Sequence, residues 1–137
     1  MPRKPIEFEN HPLVMPPAWE FRAFCKYVVD GDTFDVLIDL GFYNYVYKSI
    51  RVRNLDTAEL HGVSAAEQQH AIEAKNRAKD LILLKPIYLL TYLDPTMTFD
   101  RYVADVFYVA DVKAKQIVWR NFAEQMKADG MQKRASY

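Results

Sequence analysis

Residues 33–40 alternate clearly, with Phe34, Val36, Ile38 and Leu40 on one face and Asp35 and Asp39 on the other. A period of two predicts a half-buried strand. The apolar and aromatic run 21–29 predicts a strand before it. The "DGD" between them predicts a hairpin turn, because Asp-Gly tolerates tight reversal. "GFYNYV" marks the next turn. Residues 46–55 return as a strand with Ile50 and Val52 facing one side and Arg51 and Arg53 the other. Ser64 followed by Glu67 is a capping box, and Ala71, Ala74, Ala78, Leu81 and Ile82 follow at helical spacing. Pro86 ends that helix. "IYLLTYL" (87–93) and "RYVADVFYV" (101–109) predict two further strands across the loop "DPTMTFD". A basic turn and "QIVW" then lead to a final helix over about 122–130, stopped by Gly130. This order is an α+β pattern, compatible with a small barrel carrying helices at its side.

One position breaks the pattern. Asp32 has the parity of the apolar face, so a strand that already runs there aims a carboxylate at the core, which is costly without a partner. Ordinary turn chemistry is one explanation of "VVDGDT", since aspartates satisfy local backbone donors. A metal site is the other. The same choice arises at "LDTAEL" (55–60).

Residues 1–20 hold five of the seven prolines, which predicts an irregular N-terminal arm ahead of a single domain over 21–137. Half the residues are hydrophobic, enough to bury a core, and the one cysteine, Cys25, excludes an intrachain disulfide and reads as a strand-core thiol. No apolar run approaches the roughly 18 residues of a membrane span. The start has no apolar signal region, so the expected location is intracellular, with no membrane partner. Eighteen basic residues balance eighteen acidic ones, which argues mildly against a general nucleic-acid binder. Basic side chains do gather in 111–137, six against three acidic. His11, His61 and His70 lack ligand-like spacing and read as surface residues.

Hard divalent cations take carboxylates, carbonyls and water. Asp32 and Asp56 end strands that are candidate neighbours, each beside a threonine. Glu59 follows on a turn, and Arg51 lies along the strand leading to Asp56. A cation, arginines and a water-activating carboxylate are what phosphodiester hydrolysis requires: neutralised phosphoryl oxygens and a deprotonated, in-line water.

"VVDGDTFDV", "IRVRNLDTAEL" and "RYVADVFY", in that order, resemble the staphylococcal nuclease (thermonuclease-like) family over about 25–137. The resemblance implies a five-stranded OB-fold barrel, mainly antiparallel, with about three flanking helices. It implies a calcium-dependent phosphodiesterase that cuts DNA, RNA or both to 3′-phosphates. Asp32 and Asp56 would then ligate Ca²⁺ with the Thr57 carbonyl. Glu59 would be the general base, and Arg51 and Arg101 the phosphate clamps. Arg101 takes its role only when "RYVADVF" meets the family's R-x-L-A; the register that aligns "DRY" with D-[KR]-Y puts Ala104 there instead. Phe99 and Tyr137 would contact the nucleic acid. Ala58, Thr98, Phe99 and Asp100 depart from the family's proline, basic residue, tyrosine and glycine. The competing expectation is a catalytically inactive OB-fold module that binds nucleic acid or a protein.

Overall fold

A computed structural model of the chain describes residues 18–92 and 101–137. It contains β1 (Ala18–Asp30), β2 (Thr33–Gly41), β3 (Asn44–Val52), α1 (Ala65–Ile82), β4 (Pro86–Tyr92), β5 (Arg101–Lys113), β6 (Gln116–Asn121) and α2 (Phe122–Ala128). The strands form one sheet in the order β3-β2-β1-β4-β5-β6, with antiparallel neighbours. A parallel pairing of Ser49–Val52 with Arg101–Ala104 brings β3 back to β5, so the sheet partly closes into a ring. At this coarse level the fold is consistent with an OB-like arrangement.

Five strands, β1 to β5, make the ring, and a sixth, β6 (116–121), pairs along β5 outside it. The described residues contain two helices, where the resemblance implies about three for the chain. β1 begins at Ala18, three residues before the predicted start of the first strand at 21. Among the described residues no helix is long and apolar enough to cross a membrane.

The core follows the alternation of the strands. Phe34, Val36 and Ile38 are buried from β2, Ile50 and Val52 from β3, Ile87 and Leu89 from β4, and Ala104, Val106 and Tyr108 from β5. On β1 the buried positions are Ala23, Cys25 and Val28, a slip in parity absorbed by a bulge between Cys25 and Tyr27. Burial pushes the Cys25 thiol up to about 11, so it stays protonated and inert. Leu40, by contrast, lies beyond the core and is half exposed.

Ser64 caps α1 as the sequence predicts, its Oγ accepting the Glu67 N–H; at the start of α2, Asn121 Oδ1 accepts the Glu124 N–H. Small side chains at Ala71, Ala74 and Ala78 form the buried stripe of α1. Phe122, the first residue of α2, packs edge-on against Phe34 with ring centroids 5.1 Å apart, fixing α2 to the core. Gly130, at φ +77°, reverses the chain after α2 and sends residues 131–137 back toward α1.

Candidate active site

The site grows from the turn between β1 and β2. Asp30 Oδ1 accepts the Asp32 N–H at 3.0 Å, a local closure that shapes the reversal. Gly31 makes a second requirement visible. A Cβ there would lie 2.7 Å from Thr57 Cγ2 and 2.9 Å from Ala74 Cβ, so only glycine lets the turn, Thr57 and α1 approach this closely. The Asp32 carbonyl accepts the Val52 N–H at 2.9 Å, tying the turn to the end of β3.

Asp32 is 2% exposed, as its parity predicts. Its carboxylate is well supplied with partners. Oδ2 accepts the Thr57 N–H at 3.0 Å and forms an ion pair with Arg51 Nη1 at 2.6 Å, while Oδ1 accepts the Thr33 hydroxyl at 3.1 Å. Burial by itself raises the pKa of Asp32. The hydrogen bonds from Asp30, Thr57 and Thr33 and the charge of Arg51 outweigh it and hold the group below its ordinary value. Asp30 takes the opposite part. Burial first, and then its hydrogen bond to Asp32, raise its pKa to about 6, so the shared proton belongs to Asp30.

Arg51 sits opposite Thr33 in the β2–β3 register and turns its guanidinium toward the chain that follows β3. Nη2 donates to the Leu55 carbonyl at 3.1 Å and to Asp56 Oδ1 at 3.2 Å. Asp32 and Asp56 therefore converge on one guanidinium, the first from a buried position, the second with its side chain 57% exposed. The loop that carries Asp56 has no regular structure, and the C-terminal segment holds it. Gln132 Oε1 accepts the Asp56 N–H at 3.2 Å, the Lys133 N–H donates to the Asp56 carbonyl at 2.7 Å, and Thr57 bridges antiparallel to Gln132.

The remaining candidates divide. Thr57 is buried beside Asp32, and Ala58 after it is buried too. Glu59 is exposed on the same loop, with no side-chain partner among the described residues. The backbone of Arg101 opens β5 opposite Ser49, two residues along β3 from Arg51, whereas Ala104 is fully buried opposite Val52. Phe99 lies outside the described residues, with Thr98 and Asp100. Arg53 is engaged elsewhere, 3.5 Å from Asp105 and over the Tyr92 ring.

Tyr137 is half exposed, yet its hydroxyl is tied inward, 2.6 Å from His70 Nδ1, and it accepts the Arg134 N–H at 3.0 Å. His70, expected at the surface, is buried, with Nε2 2.8 Å from the Gly130 carbonyl. Sequence reasoning missed His70 and Gln132. The apolar stripe of α1 was the one available signal, since His70 adjoins Ala71 on it.

The donor set suits a hard cation in kind: two carboxylates and nearby carbonyls, all oxygen. It is sparse in number, because the described residues contain no group of three or more His, Cys, Asp or Glu side chains positioned to hold a metal. In this structure the guanidinium of Arg51 is the cation between the carboxylates. No protein-family model and no curated protein matches the chain.

Proposed function

We propose that the chain is a metal-dependent phosphodiesterase of the thermonuclease type, acting on DNA, RNA or both and leaving 3′-phosphate ends. The finer reading of the fold, an OB-fold barrel built on the five strands of the ring, belongs to the same proposal. The observation that carries it is the convergence of Asp32 and Asp56, from the β1–β2 turn and the β3–α1 loop, on the guanidinium of Arg51.

In this reading Asp32, Asp56 and the Thr57 carbonyl hold Ca²⁺. The bound ion supplies charge neutralisation at the phosphoryl oxygens and lowers the pKa of water. Arg51, whose side chain is 29% exposed, reaches solvent from between the carboxylates and supplies a planar donor fork for a phosphate. Arg101 is the second phosphate donor. Glu59, exposed three residues beyond Asp56, accepts the proton of the attacking water. Tyr137 and Phe99 contact the nucleic acid near the cut. Asp32 remains ionised throughout, because its hydrogen bonds hold it charged.

A second reading, an inactive module that binds nucleic acid or a protein, has one observation in its favour: Arg51 already bonds both carboxylates, as in a structural ion pair. Cleavage of a labelled single-stranded DNA, with calcium or with EDTA, separates the two. Calcium-dependent cutting that Glu59→Gln reduces by about 10²–10⁴-fold is the expected result for a general base. DNA and RNA left intact from neutral to alkaline pH would overturn the proposal, and retained binding without cutting would establish the second reading.

A further inference from the structure

The loop bearing Asp56 and Thr57 has no helix or strand of its own, yet it must hold a carboxylate in place. Both backbone hydrogen-bonding groups of Asp56 go to one partner segment. Its N–H goes to Gln132 Oε1 and its carbonyl to the Lys133 N–H, while Thr57 bridges to Gln132. That segment is itself fastened at both ends. At its start the Met131 N–H donates to the Met126 carbonyl at the end of α2. Beyond it, Tyr137 closes on His70 of α1, and Lys133 Nζ lies 3.6 Å from Glu67 Oε1 on the same helix.

The hydrogen-bond directions at His70 are determined by its neighbours. The Gly130 carbonyl only accepts, so Nε2 carries the proton. In the neutral ring Nδ1 then accepts from the Tyr137 hydroxyl, whose oxygen accepts in turn from the Arg134 N–H. Every polar atom of the latch is used, which gives the buried histidine and its half-exposed tyrosine partner a single arrangement.

We infer that residues 130–137 are a strap that sets the position of the Asp56 carboxylate and the Thr57 amide relative to Asp32, with Gln132 as the positioning residue and the Tyr137–His70 pair as the anchor. The inference deepens the proposed function, since it assigns the strap a role at that site. Its physical basis is that a carboxylate on an irregular loop is only as well placed as its backbone, and here the strap supplies the backbone partners that a helix or strand otherwise supplies.

Three full-length variants test it. Gln132→Met keeps the side-chain length and removes the acceptor, Gln132→Glu keeps an acceptor oxygen, and Tyr137→Phe removes only the latch hydroxyl. The first readout is amide hydrogen exchange of Asp56 and Thr57 without metal, compared with amides of β2 as the global reference. One lost hydrogen bond in a locally opening loop corresponds to about fivefold to tenfold faster exchange. Gln132→Met and Tyr137→Phe are expected to show this at Asp56 and Thr57 with β2 unchanged, and Gln132→Glu to stay near wild type. The second readout is terbium luminescence titration, in which Gln132→Met and Tyr137→Phe bind several-fold more weakly. Unchanged exchange at Asp56 and Thr57 in both Gln132→Met and Tyr137→Phe would overturn the strap, and so would acceleration spread equally over β2. If wild type binds no metal and cuts nothing, the proposed function falls, while the exchange rates still decide the strap.

Discussion

Replacing Arg51 by methionine removes the guanidinium that bonds both carboxylates while keeping a side chain of similar length. Asp32 is the group that suffers, because it is 2% exposed and ionised. Removing one partner of a fully buried ion pair costs about 3–5 kcal/mol. Two features reduce that figure. The Arg51 side chain is 29% exposed, and Asp32 keeps the Thr57 N–H and the Thr33 hydroxyl. The Asp56 arm adds little, since its carboxylate is more than half exposed and screened. The expected loss is therefore about 2–3 kcal/mol, or about 8–12 °C in Tm for a domain of this size. Thermal and urea denaturation in EDTA at pH 7 measure it. Adding Asp32→Asn to Arg51→Met should recover part of the loss, because no uncompensated charge then remains buried. A calcium titration of the same proteins examines the site. With the guanidinium gone, a cation inherits both carboxylates, and at 100 times its Kd it returns about 2.7 kcal/mol. Calcium should thus stabilise Arg51→Met more than wild type. A variant within about 0.5 kcal/mol of wild type in EDTA would refute the stability argument, that being the scatter of neutral surface changes. Equal or greater calcium stabilisation of wild type would refute the competition between guanidinium and cation.

Two further outcomes follow from the turn beneath the site. Gly31→Ala places a Cβ 2.9 Å from the Ala74 Cβ, which is fixed on a helix and cannot yield, and 2.7 Å from Thr57 Cγ2. The expected cost is about 2 kcal/mol, read as a fall in urea midpoint, and a variant as stable as wild type would exclude the close approach. Asp30 gives a pH dependence. Its folded pKa of about 6 lies above the unfolded carboxylate value, so the folded chain holds a proton there that the unfolded chain has released. Its contribution is complete below about pH 4 and is lost as pH rises through about 6. Asp30→Asn keeps a donor toward Asp32 and cannot ionise, so wild type should lose stability relative to it between those limits. A difference independent of pH would contradict the proton assignment.

The strands of the ring were legible because a period of two marks each buried face, whereas their closure through β3 and β5 was not. Phe34, Val36 and Ile38, and likewise Ile50 and Val52, all lie inside. β6 offered no such signal: Ile117 and Trp119 are both substantially exposed, so its pairing along β5 rests on backbone bonds that no side-chain pattern advertises. The β2–β3 hairpin was misjudged in length for a related reason. Its tip places Phe42 and Tyr43 at φ 54° and 59°, the left-handed region that Asn and Gly ordinarily occupy. At the site, the inward parity of Asp32 was readable from "DGDTFDV". The latch was not, because Tyr137 meets His70 across 67 residues and Gln132 meets Asp56 across 76, with no local periodicity linking them.

Turn chemistry and site chemistry, posed as alternatives for "DGD", are divided between its two aspartates. Asp30 makes the turn, accepting the Asp32 N–H, and takes the proton that the pair shares. Asp32, kept charged by its hydrogen bonds and by Arg51, points inward, where Thr57, Thr33 and Arg51 meet it. A chain that needed only a turn would have no use for a second carboxylate at 2% exposure, since an asparagine or serine there closes a turn without the desolvation cost. Nor does an internal ion pair account for the whole arrangement. Asp32 and Asp56 bring two negative charges to a single guanidinium, so one remains uncompensated beside a buried group. That residual charge lies on the side of Asp56, more than half exposed, where a cation from solvent reaches it. The all-oxygen surroundings favour a hard divalent ion over a softer one. The imbalance, more than the resemblance of the motifs, is the physical reason for proposing a cation at this site.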